Sequence, residues 1–454
     1  MPDFTAGRTG MAIDFSFRDF WYPLRLHRMR RLFERSPYWP RLEMREYQSR
    51  RLATVVLQAS RNVPHYRRLF ASLGLTASDI RDVEDLKKLP LLSREELRSG
   101  SRDFLAADAE RYSPRIYSTG GTTGSPLEIR LDRDARVLEF VYYWRHWSWA
   151  GYRLGDPFAE LGSLFFLSRN DRNDKIFQGQ PHLGRLMINS AKVGFSNAEK
   201  MAGAIRNWHA EFLKGTASAL YFLALSFREK GINDVAFRAI FSTGEVLTPA
   251  YRMLIERVFG CRVLDSYGHM EGTVAVSECP DGGYHINEDY GILELESVRT
   301  LADGRVMARA VGTSLYNLAM PLLRYDVGDE IELFPCEKPC PCGRRFPLVK
   351  AIHGRSEDVV VTPDGRFITS MFVVPEFSEG VRSVQFVQEE TDRLLVRVVP
   401  GEEWGPDRRG VLFENVRKLV GTEMKLEMEE IAQEALRTDA SGKIRTVISR
   451  VRVG

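Results

Sequence analysis

At 454 residues the chain is too long for one simple hydrophobic core, so two or more domains are expected. Hydrophobic residues at 44% and charged residues at 28% exclude a disordered or fibrous class. A formal net charge of +3 is too small to argue for a nucleic-acid partner.

The start lacks the charged region and apolar run of a secretory signal. No stretch reaches the roughly 18 apolar residues that a membrane-spanning helix needs. Five cysteines, an odd number bunched late, do not make a disulfide framework, so a cytoplasmic protein is expected. Arginines and aromatics interleave from Phe17 to Arg41. That pattern suits a helix packed on the body with snorkelling arginines, or alternatively a peripheral membrane contact.

The first hundred residues read as helical. Leu52, Val55, Val56 and Ala59 follow the i, i+3, i+4, i+7 pattern, and SREE at Ser93–Glu96 is a capping box. Then comes STGGTTGSP, from Ser118 to Pro126, followed by a strand. Such a run is either a surface linker or a backbone that must approach a phosphate, where glycine-rich turns offer N–H nests. The lysine of a Walker-type loop is absent. An aromatic block, Tyr142 to Gly151, reads as an aryl-binding slot or as ordinary core. SNAE at Ser196–Glu199 is a second expected capping box, opening a helix with Met201, Ile205, Trp208 and Phe212 on one face. Ala217 to Phe227 suits a buried helix.

The centre is a β-α-β unit. A strand near Arg238–Ser242 leads to a helix capped by Thr248, begun by Pro249 and stopped by Gly260, with Tyr251, Leu254, Ile255, Val258 and Phe259 inward. A strand near Arg262–Asp265 follows. The connection makes the two strands parallel, so STGE (Ser242–Glu245) and SYGHMEG (Ser266–Gly272) lie together at their carboxyl ends, where open α/β sheets bind ligands. The glycine loop is expected in the same crevice. From Ile292 the texture changes to short alternating strands. A hairpin on Pro363-Asp364-Gly365, two strands and a helix near Gly410–Val420 form a small α+β unit, with a boundary near His353–Asp358.

Taken in order, these stretches resemble the adenylate-forming (AMP-forming) ligase superfamily, in its phenylacetate–CoA ligase-like, CapK-type branch. The resemblance runs from about Arg51 to Arg450 and includes ASRNVPHYRRLF, at Ala59–Phe70. It implies an α/β protein with a large multi-subdomain N-terminal domain (1–354) of parallel sheets flanked by helices. A small mobile α+β C-terminal domain (355–454) would carry the catalytic lysine. It also implies activation of a carboxylate as an acyl-adenylate, then acyl transfer to a thiol, amine or sugar acceptor, CoA being one version. By the resemblance, Ser118, Thr119, Gly120, Gly121, Thr122, Thr123 and Gly124 embrace the ATP phosphates, and Gly244 and Glu245 flank adenine. Tyr267 and Gly268 lie beside the base, Glu271 binds Mg²⁺, and Asp329 of LLRYDVGDEIEL grips the ribose. In HGRSED, Arg355 lies near ribose and phosphate and Glu357 at the pivot; in RTDASGKIR, Lys443 is the mobile catalytic lysine. Without the resemblance, Lys443 reads as an exposed turn lysine, Glu271 as a solvated carboxylate and Tyr267 as core.

The chemistry agrees with these roles. Attack of a carboxylate on an α-phosphate joins two anions and expels pyrophosphate, so preorganised cationic groups matter more than a base. Two departures stand out: TGSPL replaces the common TGKPK, and TPDGRFITSMFVVPEF (Thr362–Phe377) lacks the glycine-rich run that lines a CoA channel in phenylacetate–CoA ligases. Two other readings stay open: nucleotidyl transfer that leaves AMP on a coenzyme, and a degenerate nucleotide-binding scaffold. The late cysteines suggest zinc on soft ligands. The similar arrangement in relatives implies Cys279, His285, Cys340 and Cys342 as the set, with Cys336 spare, against reduced thiols without metal; Cys261 is expected in the core. His146 and His269 are candidate contacts for a polar substrate group.

Overall fold

The computed structural model describes residues 22–119, 127–163, 166, 175–301, 304–336, 339–353, 360–368, 371, 380–401, 403–432, 435–437 and 445–451. Gly120, Gly121, Thr122, Thr123, Gly124, Arg355, Glu357 and Lys443 lie outside the described residues.

Three helices lead in: α1 (Tyr22–Arg35), α2 (Arg41–Asn62) and α3 (Pro64–Leu73). The expected face of α2 is inward, with Leu52, Val55, Val56 and Ala59 fully buried. Pro64 starts α3 and Gly74, at φ +65°, ends it. On α1, Phe33 is buried and packs on Tyr316, while Arg28 and Arg31 face outward. In α4 (Arg94–Ser99), Ser93 Oγ accepts from the Glu96 N–H at 3.1 Å. Only this half of the expected box forms, because the Glu96 carboxylate turns to within 4.0 Å of His65.

The body is built on a sheet that has nine strands among the described residues. Its parallel centre holds β3 (Phe158–Leu161), β5 (Arg185–Ile188), β6 (Phe212–Gly215), β7 (Ala239–Thr243) and β8 (Val263–Gly268). Antiparallel strands extend it, β4 (Phe177–Gln180) beside β5, and β9 (Ala275–Glu278), β10 (Tyr284–Ile286) and β14 (Leu348–Val349) beyond β8. One face is covered by α6 (Ala198–Trp208), α7 (Ala217–Glu229) and α8 (Pro249–Phe259). The other is covered by α5 (Arg133–Ser148). Apolar nearly all round, α7 is correspondingly buried from Ala217 to Phe227 except at Tyr221.

The β7-α8-β8 unit follows local rules closely. Thr248 Oγ1 accepts from the Tyr251 N–H at 3.2 Å, Pro249 occupies the first turn, and Gly260 at φ +66° ends the helix. Ile255 and Phe259 are fully buried, each worth about 1.5–3 kcal/mol. Two expectations upstream fail. The helix predicted from SNAE starts at Ala198, and its Asn197 makes no side-chain cap because its amide donates to Lys192 O at 2.9 Å. It stops at Trp208, with His209 left-handed at φ +52°, so Phe212 belongs to β6 instead.

A second sheet joins β11 (Gly291–Thr300), β12 (Val306–Ser314), β13 (Tyr325–Leu333) and β15 (Ala351–His353), all antiparallel. The C-terminal α+β unit pairs β18 (Val381–Glu390) with β19 (Arg393–Pro400), flanked by β20 (Lys425–Glu430) and β21 (Val447–Ser449). Helix α9 (Pro406–Val420) buries Leu412, Val416, Leu419 and Val420 in a core shared with Val384, Phe386, Val396 and Val398. The predicted hairpin joins β16 (Val360–Val361) to β17 (Phe367–Ile368) and turns at Gly365, φ +75°. Beside it, Arg366 ties the unit to the body, donating to Ala191 O at 2.9 Å and to Leu419 O at 2.9 Å. Among the described residues, no helix is long and apolar enough to cross a membrane.

Candidate active site and metal cluster

Thr243 pairs with Ser266, and Ser266 Oγ donates to Ser242 O at 3.0 Å, so the two polar loops at the ends of β7 and β8 start side by side. Past Gly268 the chain turns through His269 to Gly272, the latter at φ +65°. That turn seats on the second sheet through two glycines. A Cβ at Gly291 would strike Thr273 O, and one at Gly312 would strike Thr273 Oγ1.

The turn presents a buried carboxylate with three partners. Glu271 Oε1 accepts from Arg94 at 2.9 Å and from the Tyr325 hydroxyl at 2.9 Å, while Oε2 bonds His269 Nδ1 at 2.9 Å. His269 Nε2 in turn meets Thr273 Oγ1 at 3.1 Å. Burial alone would raise the Glu271 pKa, but the His269 imidazole and the Arg94 guanidinium outweigh it and bring it down to about 2. A carboxylate held in its charged form here fits a hydrated divalent cation or its inner shell.

Beside it, the Tyr267 hydroxyl donates to Asp329 Oδ2 at 2.8 Å. The neighbouring acid of the same motif, Asp326, is taken by the Arg309 guanidinium and by the Gly328 N–H, leaving Asp329 to face Tyr267. Gly244 is exposed at φ +79°. The Glu245 carboxylate accepts from the Ser218 N–H at 2.9 Å, at the start of α7, so its charge rests on that helix N-terminus. Ser118 and Thr119 close β1 (Arg115–Thr119), which pairs antiparallel with β2 (Leu127–Leu131).

His146 does not join this group. It is fully buried, with Nε2 3.0 Å from Glu278 O, and burial pushes its pKa down to about 3. Trp147 likewise is core, stacked on Phe241 at 5.3 Å. Tyr143, one turn earlier, reaches the crevice, its hydroxyl 3.2 Å from Thr243 Oγ1. Sequence reasoning missed Arg94, seen only as part of a cap, and Tyr325, which sits inside the quoted LLRYDVGD. It also missed Gln385, fully buried on β18. Gln385 Nε2 donates to Arg437 O at 2.9 Å and Arg445 O at 2.8 Å, and its Oε1 accepts from the Arg437 N–H at 3.1 Å. One side chain therefore grips both ends of the segment that contains Lys443.

At the C-terminal end of α5, where Trp149 meets the His285 ring at 5.7 Å, Cys279, His285, Cys340 and Cys342 bring four ligand atoms within 4.8 Å of one another. Cys279 Sγ lies 3.6 Å from Cys340 Sγ, and His285 Nε2 lies 3.3 Å from Cys342 Sγ. His285 Nδ1 faces Phe346 O at 3.0 Å, which fixes the ring with Nε2 toward the sulfurs. Backbone N–H groups of Asp281 and Arg344 point at two of the sulfurs, at 3.4 and 3.3 Å. This donor set fits a tetrahedral soft metal. Cys336 is exposed and apart from it; Cys261 packs against the helix-covered core.

Comparison with known proteins gives four findings. Residues 360–450 match the CapK C-terminal domain. A phenylacetate-coenzyme A ligase of Thermus thermophilus is 28% identical over 71% of this chain and 72% of its own length. Protein CapK of Staphylococcus aureus is 23% identical over 78% of each. Among solved structures, 2-hydroxyisobutyryl-CoA ligase in its postadenylation state superposes with a TM-score of 0.56, at 22% identity over 91% of each chain, a likeness of fold. An α/β body with a parallel-centred sheet and an α+β C-terminal unit agree with these findings: the chain has the fold of the adenylate-forming ligases, and its relatives are phenylacetate-coenzyme A ligases and protein CapK.

Proposed function

We propose that the protein activates a carboxylic acid as its acyl-adenylate, consuming ATP and releasing pyrophosphate, and then passes the acyl group to a thiol, amine or sugar acceptor. The observation that carries this reading is the meeting of Tyr267–Asp329 with Arg94–Glu271–His269 at the strand ends of a fold shared with adenylate-forming ligases. Asp329 holds the ribose hydroxyls, Tyr267 lies beside adenine, and Gly244 and Glu245 flank the base. Ser118 to Gly124 cradle the phosphates. Glu271 holds Mg²⁺, whose chemistry is to screen phosphate charge. Arg94 adds a positive charge where the loop lacks its lysine. The chain divides near 354, and the smaller unit moves so that Lys443, with Arg355, reaches the reacting carboxylate and α-phosphate.

Atypical sequence from Thr362 to Phe377 and the CapK-type C-terminal match support an acceptor other than CoA. ATP–pyrophosphate exchange with pooled aryl, fatty, amino and sugar acids tests the first half. Trapping with CoA, hydroxylamine and amino sugars tests the second. Exchange that one acid pool stimulates is expected, with free AMP formed on transfer. AMP retained on a coenzyme would instead mean nucleotidyl transfer, and ATP binding without pyrophosphate chemistry would mean a scaffold.

Gln385 is a positioning residue in this scheme. Gln385→Leu removes the grip on Arg437 and Arg445 and leaves buried backbone groups unpaired, costing about 1–3 kcal/mol. The expected result is a fall in exchange kcat with little change in the ATP KM, together with faster protease cleavage between 437 and 445. Unchanged cleavage would remove Gln385 from the scheme.

The cysteine cluster is proposed to bind one structural zinc ion. Metal analysis of the purified full chain should find one equivalent. Cys279→Ser and Cys342→Ser should each lose most of it and lower the melting temperature, whereas Cys336→Ser should do neither.

A further inference from the structure

A set of charged groups stands beside the crevice without a place in the scheme above. Lys214, near the carboxyl end of β6, has a side chain only 12% exposed, and its ammonium lies 3.1 Å from Glu160 Oε1 on the paired residue of β3. Glu160 Oε2 takes Arg185 at 3.1 Å. The Lys214 ammonium also lies over the Tyr143 ring at 4.9 Å. The hydrogen bond to Glu160 is the one that Lys214 makes among the described residues.

Helix α5 shows what stands above it. Trp147 packs on Phe241 and Phe158, and Tyr143 packs on Lys214 and bonds Thr243. As the strands advance from 241 to 243, the helix contacts step back from 147 to 143, so α5 runs antiparallel to the strands. Glu139 is one helical turn beyond Tyr143 on the same face, about 6 Å past the strand ends. Its place on α5 therefore carries it past the carboxyl end of β7, toward the crevice. Half-buried, it has no hydrogen-bond partner among the described residues. Its burial raises its pKa, and the nearby Lys214 charge opposes that rise.

Charges this deep are expensive to keep as mere stabilisers, and phenyl groups do not need them. We propose that Glu139 and Lys214 form a polar subsite of the acyl pocket that selects a carboxylic acid bearing a hydroxyl group away from its carboxylate. This rests on the acyl-activation reading. A hydroxyl donates to Glu139 and accepts from Lys214 at once. An ammonium would meet Lys214, and a second carboxylate would meet Glu139, so neither satisfies both.

The test uses the full-length protein and matched acid pairs: phenylacetate with its 2-, 3- and 4-hydroxy forms, and hexanoate with its 3- to 6-hydroxy forms. Equilibrium binding by calorimetry and ATP–pyrophosphate exchange are measured for each. A site built to bond a hydroxyl should favour one hydroxy acid over its parent by about 100-fold or more. Glu139→Leu and Lys214→Met should each collapse that ratio toward one, while Glu139→Gln, which keeps the shape and an acceptor, should retain part of it. A preference for the parent acid in every pair, or a ratio that survives Glu139→Leu, overturns the proposal. Hydroxy-selective binding lost in Glu139→Leu but without any exchange would uphold the subsite and refute acyl activation instead.

Discussion

Replacing Lys443 by alanine is expected to lower ATP–pyrophosphate exchange by about 10²–10³-fold while ATP binding changes only a few-fold. The reacting carboxylate and the α-phosphate are both anionic, and in this scheme the mobile ammonium is the compact point charge brought between them in the adenylating step. The groups proposed to hold the nucleoside, Tyr267 and Asp329, are bonded to each other and do not depend on it. The loss should therefore appear in kcat. Arginine at 443 should restore little, since a planar guanidinium cannot replace a point charge reaching between two anions. Exchange that persists in Lys443→Ala would remove the lysine from the chemistry. If Gln385→Leu still loosened the segment in that case, the grip would be structural only.

Local rules made the centre of the chain readable. Thr248, Pro249 and Gly260 each act within one turn, and each does in the structure what its type predicts. SNAE failed because the helix starts one residue late: Asn197, not Ser196, takes the cap position, its side-chain amide is drawn to Lys192 O, and no composition reveals that bond. His146 was open to a substrate role by type alone, and only its complete burial decides otherwise. Arg94 was invisible for a different reason. It is 177 residues from Glu271 in sequence, and nothing near SREE signals that its guanidinium crosses to that carboxylate. The same holds for Asp326 against Asp329. Both lie in one motif, and the Arg309 fork on a neighbouring strand separates their roles. Bunched thiols suggested a metal site, but the resemblance was needed to choose Cys279, His285, Cys340 and Cys342, because His285 and Cys340 meet only through the fold.

Glu271→Gln tests the centre of the site at constant shape. The carboxylate satisfies Arg94, Tyr325 and His269 together, and an amide can accept from only some of these while adding an N–H donor toward one of them. Exchange is expected to fall about 10²–10³-fold, the range for losing one preorganised electrostatic group. The remaining activity should require much higher Mg²⁺, because the anionic ligand proposed for it is gone. Stability should fall by about 1–3 kcal/mol as buried donors lose their acceptor. Since the Arg94 side chain is 32% exposed, water relieves part of that penalty. Arg94→Met separates the two effects. It leaves the carboxylate to bind the cation, so its Mg²⁺ dependence should stay close to that of the natural protein while its ATP KM rises. If Arg94→Met instead shifted the Mg²⁺ dependence as strongly as Glu271→Gln, the pair would be acting as one unit that sets the carboxylate's position, and Arg94 would have no separate contact with phosphate.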